Sequence, residues 1–217
     1  MVGDMRRAPP FRKLLLAGAI AGPLYLTVGV LQMLLREGFD PRLHALSLLA
    51  NGELGWIQVG NFIVAGLLVA LAAWGLRGAM RGERGGTWGP VLLALYALGL
   101  LGAGVFVADP GAGFPPGTPV STGMTRPGLL HFVFGAVGFY SLVGACFVFA
   151  VRFREKGRTG WALYSVVTGA GFLLSFMAIA SGRISPLVML TFYGAVAWSW
   201  IWLSAFLVHE AGRAEAG

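Results

Sequence analysis

The chain has 217 residues, of which 57% are hydrophobic and 12% charged, with a mean hydropathy of +0.75. A soluble domain carries roughly a quarter of its residues as charged groups, so this composition excludes one and describes a protein that crosses a membrane several times. The net charge of +7 does not signal nucleic-acid binding, because it is divided among short clusters beside apolar runs with no folded basic domain to carry it; attraction to anionic lipid headgroups is its natural side effect.

At about 20 residues per crossing helix, the apolar runs predict one all-α domain over residues 1–217, a bundle of six transmembrane helices plus a short amphipathic outer helix. The first span is Leu14 to Leu35. Its leader, MVGDMRRAPPFRKLLLAGAIA, imitates a signal peptide, with a basic head and small residues at Ala19 and Ala21. The apolar run nevertheless continues to Leu35, far enough to cross, so an uncleaved first helix is expected.

The first outer connection, FDPRLHALSLLANGELGW from Phe39 to Trp56, crowds polar groups that the rest of the chain avoids. Asp40-Pro41 reads as an N-cap and first turn and Asn51-Gly52 as a terminator, predicting a short helix from Pro41 to Ala50. On it His44, Ser47 and Asn51 share one face, while Leu43, Leu46 and Ala50 lie opposite. Such a helix belongs in the interface, leucines toward lipid or the bundle.

The second span, Trp56 to Leu76, is bracketed by Trp56 and Trp74, roughly 27 Å apart at the helical rise, which suits aromatic anchors at both interfaces. Gln58 and Asn61 share a face that Ala65 and Leu68 continue, expected to look inward. The inner connections at Met80 to Thr87 and at RFREKGRTG read as plain turns. After the third span, Gly89 to Val107, the second outer connection DPGAGFPPGTPVSTGMTRPG holds five of the eleven prolines and can be neither helix nor central strand. It is either a lid or a cover lying on the headgroups.

Asp109 places a carboxylate beside the negative end of the third helix, which is unfavourable and calls for a partner: Arg126 first, otherwise Arg42 or a protonated histidine. The fourth span, Gly128 to Val151, carries His131 one turn inside on a face continued by Gly135, Gly138, Leu142 and Ala145. Small residues mark close helix approach, so His131 should point into the bundle. Cys146, the single cysteine, allows neither an intrachain disulfide nor a cysteine-pair metal site. The last spans are Gly160 to Ala180 and Pro186 to Val208, joined by SGRISP.

Twelve of the sixteen basic residues fall on the side that holds both termini; the other side has Arg36, Arg42, Arg126 and Arg183. This asymmetry predicts an inner-membrane protein with cytoplasmic termini. Asp-Pro recurs at the outer ends of the first two hairpins, each followed by a histidine, which raises a three-hairpin repeat.

Asp40, His44, Ser47, Asn61, Asp109, Arg126 and His131 thus collect on one side of the membrane, and an outward-facing polar site binding a small polar ligand or a lipid headgroup is the leading expectation. In it the histidines donate or exchange protons, Asp40 and Asp109 orient them, and Asn61 is a neutral contact. Alternatives are a metal site on the histidines, which lacks tight ligand spacing, and a b-type haem between His44 and His131. Others are a lipid-modifying enzyme, with Ser47 beside His44 but no nucleophile-elbow glycines, a transporter without mid-membrane charge, and a structural or partner-binding bundle. Membrane lipids are the expected partners; cofactor and oligomeric state stay open.

REGFDPRLHALSLLANGELGWIQVGNF from Arg36 to Phe62, followed by VFVADPGAGFPPGTP and GLLHF, resembles the family of domain of unknown function 998. The resemblance runs from the first span to the sixth. It implies a six-helix prokaryotic membrane protein with a shared use of Asp40, His44, Ser47, Gly55, Asn61, Asp109, Pro110 and His131, and no particular reaction.

Overall fold

A computed structural model describes residues 10–120, 123–182 and 185–216; Arg6, Arg7 and Arg183, used above for orientation, lie outside these. The protein is all-α, with helices α1 (Pro10–Ala19), α2 (Ala21–Leu35), α3 (Gly55–Ala79), α4 (Trp88–Val105), α5 (Arg126–Glu155), α6 (Thr159–Ala180) and α7 (Pro186–Ala216). With α1 and α2 taken as one passage, Phe11–Leu35, six helices are long and apolar enough to cross a membrane. This is a multi-pass membrane protein.

The break between α1 and α2 at Ile20 has a local cause. Pro23 has no N–H to return to the carbonyl of Ala19, and the chain takes a tighter turn there, with Ile20 N–H bonded to Ala17. α4 stops at Val105, two residues short of the expected span, because the side chain of His131 takes the Ala103 carbonyl that Val107 would otherwise use. α5 and α7 instead run past their apolar stretches by a turn or more.

Each passage packs on its neighbours in sequence, and α7 returns to pack on α1 and α2, so the six passages close into a ring. Short connections between antiparallel neighbours dictate this order. The α4–α5 pair is set by two glycines: a Cβ on Gly99 would stand 2.6 Å from the Cα of Gly138, so the two backbones are in contact there.

The half of the ring nearer the termini is solid. Leu15, Leu76, Phe149, Phe153, Trp202 and Phe206 are fully buried, and the Trp202 and Phe206 rings are stacked 5.5 Å apart. An ion cluster closes that end. Arg152 on α5, 1% exposed, holds Glu210 of α7 at 2.9 Å and Glu83 of the α3–α4 connection at 2.7 Å. Lys156 adds a 2.6 Å contact to Glu83, and Arg213 one of 3.2 Å to Glu210. Lys156 and Arg152 hold the Glu83 carboxyl at about 2, below its usual range. The MRGERGGT connection is therefore more than a plain turn: its one acid ties a loop to the end of α5.

Candidate functional site

At the end of the ring away from the termini, the first loop departs from the expected helix over Pro41 to Ala50. Asp40 starts a single turn, accepting the amides of Leu43 and His44 on its carbonyl and the amide of Arg42 on its carboxylate. The chain then extends at Ala45 and resumes as a 3₁₀ turn, Leu46–Ala50. The interruption comes from His44, whose Nδ1 accepts the backbone N–H of Asp40 and so folds the ring back over the turn. With Nδ1 an acceptor, Nε2 carries the proton and donates to the carbonyl of Ala112 at 3.0 Å.

His44 is thus 3% exposed with both ring nitrogens engaged. It lies against Phe39 and Phe114, and Phe114, from the proline-rich loop, is fully buried in a small core with Phe39 and Leu49. Arg36 donates to the carbonyls of Leu49 and Asn51 with its guanidinium over the Phe114 ring, while Asn51 donates to Ala108. The second loop is a plug seated in the first. A haem or metal bridging the two histidines would need a free nitrogen on each, and His44 offers none.

Asp40 pairs with Arg42 at 2.7 Å on the surface, and that pairing holds its carboxyl at about 2. Asp109 does not pair with Arg126, contrary to expectation. It lies beyond the end of α4 and caps α5, accepting the N–H and hydroxyl of Thr125; Thr125 in turn accepts the amide of Gly128. Those bonds depress the Asp109 carboxyl, with a smaller contribution from His131. The negative charge therefore faces the positive end of α5, which removes the dipole conflict. Arg126 is exposed, without an ion pair among the described residues. Because Asp40 and Asp109 serve different turns, the Asp-Pro echo has no structural counterpart.

Asn61 looks inward as expected, but toward α2, where it donates to the Tyr25 carbonyl and to Gln58; Gln58 also accepts from Gln32 at 2.8 Å. Gln32, Gln58 and Asn61 form a buried amide seam between α2 and α3. Tyr25 and Phe62 separate that seam from the interior of the ring.

That interior holds a chamber of about 260 Å³ to which all six passages contribute. Its walls are mostly apolar: Phe62, Tyr96, Leu100, Phe139, Phe172, Phe176, Phe192 and Val196, with Gly99, Gly135 and Gly138 along α5 and α4. It extends from His131 to Phe139 on α5 and from Phe192 to Trp200 on α7, in each case roughly 12 Å at the helical rise. Tyr25 stacked on Trp200 at 4.9 Å forms the floor. Half-exposed Phe132 and exposed Ala180, on the facing ends of α5 and α6, mark where it reaches the outside of the bundle. Of the seven residues singled out from sequence, Ser47 and His131 line it.

The structure therefore distributes those seven residues. Ser47 and His131 both line the chamber, Asp109 and Arg126 stand at the start of α5, Asp40 and His44 belong to the first loop, and Asn61 to the amide seam. Among the described residues, no three His, Cys, Asp or Glu side chains are grouped to hold a metal ion. Sequence reading missed Tyr193, which lines the chamber and donates its hydroxyl to the His44 carbonyl at 2.6 Å, and the Arg152–Glu210 pair. Glu210 is the first acid in α7, a signal that was available.

A family model described as Protein of unknown function (DUF998) matches residues 19–209. No curated protein and no solved structure matches the chain.

Proposed function

We propose, for a chain that belongs to the DUF998 family of proteins of unknown function, that the central chamber holds the apolar chain of a lipid-like molecule, its head lying at the end formed by Ser47 and His131. The chamber itself carries this reading. Helix bundles pack their interiors closely, yet here six passages surround about 260 Å³, whereas an apolar cavity of roughly 150 Å³ is enough to hold benzene. The expected polar site gives way to an apolar one because most of the polar groups that would have built it hold the loops together. Exposed Phe132 and Ala180 favour entry from the bilayer, where such molecules are dissolved.

A Cβ on Gly135 would meet nothing within 4 Å, and Gly135 lines the chamber, so Gly135→Leu fills it. Native mass spectrometry of gently purified protein should show a retained lipid-like adduct that Gly135→Leu loses while its thermal stability stays near wild type. An adduct unchanged in Gly135→Leu would end the reading.

Residence in the cell membrane with both termini cytoplasmic belongs to the same proposal, supported by the basic side chains gathered at the termini end. The native Cys146 is 1% exposed, so introduced cysteines can be read against a low background. Val120→Cys should react with an impermeant maleimide added to intact cells, and Thr159→Cys only after permeabilisation. The reverse pattern would invert the orientation.

A further inference from the structure

The two histidines of the loop end differ in what they leave unused, and this difference identifies the head of the molecule in the chamber. His131 directs Nδ1 at the carbonyls of Phe106, 2.7 Å away, and Ala103, 3.1 Å away. Both partners are acceptors, so Nδ1 carries the proton, and in the neutral ring Nε2 is then an acceptor. Nε2 has no hydrogen bond among the described residues, unlike either nitrogen of His44. The Ser47 hydroxyl, on the same chamber, likewise has none. Ring orientation is held by the two carbonyls and by Phe62, whose ring stands edge-on at 6.1 Å.

Half-buried His131 lines an apolar wall, where an unused ring acceptor is best satisfied by a donor on the ligand. Among the described residues the chamber has no lysine or arginine in its lining to neutralise a phosphate or carboxylate, and no acid to balance an ammonium group. We infer that the ligand is a neutral amphiphile whose hydroxyl donates to His131 Nε2 and accepts from the Ser47 hydroxyl, while its chain runs toward Trp200. This rests on the chamber reading proposed above and narrows it to chain alcohols and lipids with an uncharged hydroxyl head.

The test titrates the full chain in detergent with decane, 1-decanol and decanoate, reading the rise in melting temperature. Decanol should act at a concentration about fivefold lower than decane, the worth of one net hydrogen bond, and decanoate should be weaker than decanol. His131→Phe keeps a ring against Phe62 but removes the acceptor. It should abolish the alcohol preference while decane still stabilises. Equal responses of wild type to decane and decanol, a preference for decanoate, or an alcohol preference surviving His131→Phe would each overturn the inference with the chamber reading intact. Should His131→Phe fail to fold, Ser47→Ala takes its place, expected to halve the preference or more, and an alcohol preference unchanged in Ser47→Ala would overturn the inference. If none of the three probes stabilises wild type and Gly135→Leu is indistinguishable from it, the chamber reading falls and the inference with it.

Discussion

Glu210→Ala is expected to destabilise the protein by about 3 kcal/mol, the low end of the cost of removing one partner of a buried ion pair. The reason is asymmetry of loss. Arg152 is 1% exposed and Glu210 4%, so truncating the acid leaves a guanidinium buried with one of its two carboxylates gone. Glu83 remains at 2.7 Å, which keeps the loss from reaching the upper end. The double variant Arg152→Met with Glu210→Met should recover to within about 1 kcal/mol of wild type, since apolar replacement of both partners removes the desolvation penalty along with the attraction. Glu83→Gln, whose carboxylate is 35% exposed, should lose less than the single Glu210 change. Unfolding of the purified variants in graded denaturing detergent distinguishes these. A double variant no better than Glu210→Ala would mean that the pair itself, and not the orphaned charge, carries the stability.

This cluster also shows where sequence reading stopped. Six passages were legible because hydropathy is a sum over some twenty neighbouring residues, though it could not mark where α5 and α7 end, since both helices continue beyond their apolar stretches. α4 is instructive in another way: its end is set by His131, twenty-eight residues away from Ala103, and nothing local announces that. The same holds for the polar groups. Asp40 and Asn51 did punctuate the first loop, but a histidine folding back on Asp40 replaced a continuous helix by a turn and a 3₁₀ segment, a choice made by Phe114 and Ala112 arriving from the second loop. Periodicity could place His44 and Ser47 on one helical face. It could not show that the helix would be interrupted between them, sending His44 into the loop core and Ser47 to the chamber. For His131, the small-residue face was a sufficient signal, because close helix approach is written in the same residues that create the space.

Those small residues support the second large effect. Gly99 and Gly135 both line the chamber, yet they are there for different reasons, and single alanine substitutions should separate them. At Gly99 a Cβ would stand 2.6 Å from the Gly138 Cα, 2.9 Å from its nitrogen and 2.7 Å from the Phe134 carbonyl oxygen. All three are backbone atoms that no rotamer change can move, so α4 and α5 must separate. Overpacking of this kind typically removes about 1–3 kcal/mol, and contacts confined to backbone place Gly99→Ala toward the upper part of that range. At Gly135 the added methyl meets only open space, and replacing a mid-helix glycine by alanine is favourable by up to about 1 kcal/mol. Gly135→Ala should therefore match or exceed wild type in thermal stability, while Gly99→Ala melts several degrees lower as the helix pair is forced apart. If the two substitutions were equally destabilising, the space beside Gly135 would have to be closed in the folded protein, and the chamber with it.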